Sequence, residues 1–333
     1  MLGTTGPGIT GFSKNNVLLY FRARQTCWKS RYDAMPPPIL ISDLSPSRTP
    51  DVTTAPPSDV DLQRADGCGR IVLRGSENGA RIEEIFERSP IRILFPRTGD
   101  GAIKEAVLIN TAGGVAGGDR LDCTVTALPG ASLAVTSQAA EKIYRALREA
   151  ATIVTRLRAL ESAKLAWLPQ ETIVVNRARL NRTTEIELVA GAELLALESV
   201  VLGRAAHGEE VVGGHLTDTW RVKQNGRLIW ADSFRFNDEI LPHIHRKALL
   251  SKCSAIATLI YFGGSLEKRL ESLRDITNSL ECNSAVTLVG GLIVARFAAN
   301  ESFALKLALR SLLKQLGPEL GSGPFQVPKM WSC

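Results

Sequence analysis

Apolar and polar residues alternate with a two-residue rhythm along much of this chain from Gly69 onward. Leu121-Asp122-Cys123-Thr124-Val125-Thr126-Ala127 is one such run, and 152–160 and 184–189 repeat it. A period of two turns successive side chains to opposite faces, so each run predicts a half-buried strand. Two pairs of runs read as hairpins. Trp220–Gln224 and Arg227–Trp230 flank Asn225-Gly226, while Ala285–Val289 and Leu292–Phe297 flank Gly290-Gly291. Asn-Gly and Gly-Gly tolerate the positive φ that a two-residue type I′ turn requires. Helical spacing appears only late. Leu266, Leu270, Leu273, Ile276 and Leu280 share one face of a first helix. Phe303, Leu305, Leu309, Leu312, Leu313 and Leu316 mark a second over 301–316, with Gly317-Pro318 as its expected stop. The pattern predicts a mostly-β protein with two C-terminal helices.

The first 64 residues have a different texture. Seven of the sixteen prolines lie between Pro36 and Pro57 among Ser, Thr and Asp, a composition with little to bury. We expect a disordered, Pro-rich extension over 1–64 and one β-rich domain over 65–333. Residues 1–34 hold five basic residues and one acidic residue, Asp33, which fits either a transit peptide or an over-called start with Met35 as the true one.

Composition narrows the function classes. Of 333 residues, 44% are hydrophobic and 22% charged, which is ordinary for a domain with a sizeable core. The net charge of +6 is spread thinly and aromatic residues are 6%, a poor match to a nucleic-acid platform. No apolar run approaches the roughly 18 residues of a membrane span, and no early run makes a secretory signal. Six scattered cysteines without C-x-x-C spacing read as reduced thiols in the cytoplasm rather than a disulfide framework.

Candidate chemistry is sparse. The stretch Asn110-Thr111-Ala112-Gly113-Gly114-Val115-Ala116-Gly117-Gly118-Asp119 invites a phosphate-loop reading. It lacks the Gly-Lys-Ser/Thr ending, and Asp119 would repel a phosphate, so a tight glycine connection packed against a neighbour is the better reading. His243-x-His245 could form half a metal site if extended, and His207 stands beside Glu209 and Glu210. Glu141, Glu171, Glu198 and Glu209 could supply an acid–base pair, as in glycosidases. No nucleophile elbow, zinc-protease helix or kinase signature occurs.

Five blocks, in order, resemble one family. They are Leu108–Leu121 with its paired glycines and Gly-Asp, Thr136–Arg145 with Gln-Ala-Ala-Glu-Lys-x-Tyr-Arg, and Trp167–Ile173 with Trp-Leu-Pro-Gln-Glu. Glu198–Glu209, with Leu-Gly-Arg and Gly-Glu, and the closing Pro328-Lys329-Met330-Trp331 complete the set. The chain is similar here to the UreD (UreH) family of urease accessory proteins, with Lys329 where Arg is usual and Ser137 where a second Thr is usual. The resemblance implies stacked, helically wound β-sheets and a non-enzymatic chaperone that helps insert nickel into apo-urease. It further implies UreF, UreG (through UreF) and the apo-urease subunits as partners, with no tightly bound cofactor and only transient nickel in an internal tunnel. By position in the matched blocks, Asp119, Glu141, Glu198 and Glu209 are the expected lining of that route, followed by Glu171 and His207. The Trp167-Leu168-Pro169 and Met330-Trp331 segments are expected partner anchors, since aromatic residues dominate interfaces. The alternative is a carbohydrate- or small-ligand-active enzyme built on the paired glutamates.

Overall fold

The computed structural model describes residues 63–76, 79–96, 104–319, 325 and 327–332, which form one unit. The expected Pro-rich extension falls almost wholly outside the described residues. Strands β1 (Asp66–Ser76), β2 (Gly79–Arg88), β3 (Ile91–Leu94), β4 (Lys104–Asn110) and β5 (Arg120–Ala127) open the fold. Next come β6 (Ser132–Ser137), β7 (Glu141–Ile143), β8 (Ala151–Ala159), β9 (Lys164–Trp167) and β10 (Thr172–Val174). They are followed by β11 (Arg179–Leu188), β12 (Glu193–Leu202), β13 (His215–Gln224) and β14 (Arg227–Phe236). Then come β15 (Ala255–Phe262), α1 (Leu266–Asn278), β16 (Asn283–Val289), β17 (Leu292–Ala299) and α2 (Ser302–Glu319), followed by a 3-10 turn at Lys329–Ser332.

One sheet has the order β14-β13-β11-β8-β5-β1-β2, and the other β16-β17-β15-β12-β9-β6-β4-β3, with β10 beside β12 and β7 beside β10. From β4 to β13 the chain shuttles between the two sheets, laying parallel strands at each pass. This is the stacked, wound β architecture the resemblance implied. Antiparallel hairpins β1/β2 and β13/β14 finish one sheet, and β15, β17 and β16 extend the other. Both predicted hairpin turns have two positive φ angles: Asn225 at 50° and Gly226 at 77°, Gly290 at 58° and Gly291 at 77°.

Strand β12 is buried along almost its whole length because both of its faces are covered. Leu194 and Ala196 point between the sheets, whereas Leu195, Leu197 and Val201 pack beneath the helices. There they meet Leu273 and Ile276 of α1 and Leu305, Leu309 and Leu312 of α2. Each fully buried leucine contributes about 2 kcal/mol, so this outer layer is a principal source of stability.

Three expectations need correction. Helix α2 continues through Gly317 and Pro318 to Glu319. Gly317 carries no Cβ, which lessens the steric bar against helical backbone angles that a residue before proline normally meets. The segment around His243-x-His245 is not extended: Leu241–His243 is a single 3-10 turn, which removes the alternation that would aim both rings to one side. Trp167 and Trp331 are buried at 5% and 3% exposure rather than presented to a partner. The Trp331 indole donates to the Leu168 carbonyl at 2.9 Å, and the Gln170 amide donates to the Met330 carbonyl at 2.9 Å. The closing residues thus clip the chain's end onto the Trp-Leu-Pro-Gln segment.

Candidate functional site

Parallel register assembles a polar layer inside the wound sheets. Along β11, Leu180, Arg182, Thr184, Ile186 and Leu188 are the buried positions, so Arg182 takes an inward slot in an otherwise mostly apolar face. The register pairs Arg182 with Asp218 of β13, and Asp218 likewise shares its face with Leu216, Trp220 and Val222. The Arg182 guanidinium donates to both Asp218 oxygens, at 2.9 and 2.6 Å, and to the Thr172 hydroxyl at 2.9 Å. Its Nη2 also lies 3.4 Å from Glu198 Oε2, from the facing sheet. The Trp167 indole donates to Glu198 at 2.7 Å, and the Thr184 hydroxyl at 3.2 Å.

Electrostatics follow from burial. Removal from water acts against the Arg182 charge, yet the facing Asp218 and Glu198 carboxylates outweigh it and hold the guanidinium above its ordinary value. Burial raises the Glu198 carboxyl above the usual range, Arg182 pulls it back, and Asp218 pushes it further up. Bidentate geometry and extra hydrogen bonds are what make such a buried ion cluster tolerable.

A cavity of about 450 Å³ opens onto this layer. Arg182, Glu198, Trp167 and Thr172 form its inner end, and Gly113, Gln138, Ala139 and Lys142, all exposed, stand at its mouth. Glu141 lines the wall between them, accepting from the Asn110 side-chain amide at 3.1 and 3.2 Å. Burial pushes its carboxyl up to about 7, against the lowering effect of Asn110. Cys123 also lines the wall, and burial pushes its thiol up to about 12, so it faces the cavity protonated. A separate void of about 10 Å³ is lined by Glu198, Asp218, Asp232 and Arg296, the last two ion-paired at 2.5 Å.

The expected lining residues are therefore split. Glu141 and Glu198 come together on the one cavity. Asp119 is buried, but its two oxygens accept from the Ala65 and Ala116 amides at 2.8 and 2.7 Å, clasping the glycine loop. Glu209 lies in a separate cleft, bound by Arg204 at 2.8 and 3.2 Å, and that pairing holds its carboxyl below the usual range. Glu171 pairs with Lys306 of α2 at 3.5 Å, and His207 is exposed in a short 3-10 turn. Among the described residues no three His, Cys, Asp or Glu side chains are grouped to hold a metal.

A family model described as UreD urease accessory protein matches residues 65–332. This chain belongs to the UreD family. The Rhizobium johnstonii urease accessory protein UreD is 38% identical over 270 residues, covering 81% of this chain and 96% of that protein. The Rhizobium rhizogenes protein of the same description is 39% identical over the same shares. UreD 1 of Brucella suis is 37% identical over 277 residues, covering 83% and 96%. Membership makes the chain an accessory protein of urease maturation, a chaperone rather than an enzyme, and one that works with the maturation machinery.

Three residues that shape the UreD interior were absent from the expected lining: Arg182 and Asp218 at its polar layer, and Asn110 on the cavity wall. A signal for the first two existed. Each is a charge in phase with the apolar positions of its strand, which marks an inward-facing charge that needs a partner.

Proposed function

We propose that this UreD-family chain passes nickel through its interior to apo-urease, while bridging the urease subunits to UreF and, through UreF, to UreG, in the cytoplasm. The observation that carries the proposal is the cavity of about 450 Å³ that Glu141 and Glu198 both line. A route for a dication needs oxygen groups that bind weakly enough to release it. Glu141 fits this role because its carboxyl, near neutrality, exchanges a proton for a cation at little cost. Glu198 and Asp218 offer the next oxygens, already charge-balanced by Arg182. The protonated Cys123 leaves the wall without a thiolate that would trap nickel. Four free thiols, Cys68, Cys123, Cys253 and Cys282, accord with a reducing compartment.

The test uses cells that carry the urease genes but lack this one. Complementation with Glu141→Gln or Glu198→Gln should leave urease protein at normal levels and lower its nickel content and activity on the order of tenfold. Full nickel content with both variants would remove the interior route.

A further inference from the structure

A second feature lies where successive turns of the wound sheets meet at one corner. The Ala146 amide donates to the Arg177 carbonyl at 3.0 Å, and the Arg177 amide to the Gly213 carbonyl at 2.7 Å, so three chain segments stack as rungs. The rungs present Leu147 at 85% exposure, Val212 at 61% and Tyr144 at 40%. Between them Arg145 and Arg177 line a cleft of about 440 Å³ with Arg204 and Glu209. Glu209 is taken up by Arg204, whereas Arg145, Arg148 and Arg177 have no carboxylate within ion-pair reach among the described residues. The Glu149 carboxylate and the Arg64 side chain both lie against Gly118. Arg177 also holds a φ of 62°, a left-handed conformation that glycine or asparagine adopts more cheaply. Such outliers cluster at functional positions.

We infer that this corner is a docking surface for an acidic protein face, whose carboxylates enter the cleft between Arg145 and Arg177 and whose apolar side chains cover Leu147 and Val212. Charge complementarity selects the partner class, because uncompensated guanidiniums favour carboxylates in bidentate geometry. Exposed leucine and valine among the cations favour a protein over a nucleic acid, whose backbone offers them nothing to bury. The corner adjoins the cavity mouth: the Tyr144 hydroxyl donates to the carbonyl of Gly113, and Lys142 stands at the rim. This last step rests on the interior-route reading. A rim of cations repels free dications, and an acidic partner seated on it reverses the field. Cargo then enters from the docked partner in preference to solution.

The experiment takes the full chain against purified nickel-free urease and each accessory protein encoded with it, at low and at physiological salt. The double variant Arg145→Glu/Arg177→Glu should weaken one of these complexes tenfold or more and abolish its salt dependence. Leu147→Ser, at a position with almost no packing to lose, should weaken the same complex several-fold with an unchanged melting temperature. Arg158→Glu, an exposed change on β8, should leave it intact. Unchanged binding by the double variant, or an equal loss with Arg158→Glu, overturns the inference. So does retention on heparin or RNA that the double variant loses while no protein complex responds. If Glu141→Gln leaves nickel insertion intact while the double variant dissolves the complex, the route fails and the docking surface stands.

Discussion

The two faces of β12 are built from neighbouring residues and do different work. On the outer face, Leu195, Leu197 and Val201 pack into a dry layer beneath α1 and α2. On the inner face, Glu198 sits between Ala196 and Val200, directed into a polar layer with a cavity beside it. The polar layer also divides the interior, with one apolar cluster around Val125, Leu157 and Ile186 and another around Leu121, Leu180 and Leu216. Close packing without polar atoms gives the outer face stability and leaves no path through it. The inner face gives up that packing for hydrogen-bonded charges and open volume, which is what a passage for an ion requires. A single alternation of the backbone thus separates the stabilising face from the one that carries the proposed nickel route.

The strongest way to break the comparison is Asp218→Ala. It leaves the buried Arg182 guanidinium with the Thr172 hydroxyl and, as its remaining carboxylate, Glu198 at 3.4 Å, and should destabilise the fold by about 4 kcal/mol in urea titration. A loss under about 1 kcal/mol would mean that water reaches the cluster freely. Leu197→Ala, on the outer face, should cost about 3 kcal/mol through the cavity it opens. Nickel delivered per folded molecule should stay at the wild-type level, and a parallel loss of delivery would contradict the division of labour. Glu141→Gln should act in the opposite direction. The folded Glu141 keeps its proton up to about pH 7, while the unfolded chain loses it near 4.5. Stability therefore falls as pH rises between those values, and the full cost stands above them. The glutamine variant avoids it, so it should be more stable than wild type at pH 8 by up to about 3 kcal/mol and no different below pH 4.5. An effect independent of pH would show that Glu141 stays hydrated.

Local signals were legible where the chain's own short-range chemistry decides the structure. Asn225-Gly226 and Gly290-Gly291 form their turns because these residues accept positive φ, whatever surrounds them. Leucines at helical spacing form α1 over Leu266–Asn278 because burying that stripe outweighs the alternatives. Glu141 and Glu198 were reached through the resemblance, and they do share one cavity. Asp119, chosen on the same grounds, clasps its own loop, since two backbone amides sit nearer to it than any open space. Trp167 illustrates the opposite difficulty. A tryptophan in a short block is equally consistent with a surface anchor and with a buried hydrogen-bond donor, and only its neighbours distinguish them.

The alternation of strands, the turns, the two helices and the membership of an accessory-protein family were determined by the sequence alone, because each depends on spacing within a few residues or on ordered blocks. The tertiary structure decided which charges meet. Arg182 and Asp218 stand thirty-six positions apart, and Trp167 and Glu198 thirty-one. Their contacts exist only because parallel register sets one strand beside another and brings the second sheet over the first. Spacing along a strand tells which way a side chain points, but the partner that neutralises it is chosen by the winding of the whole chain.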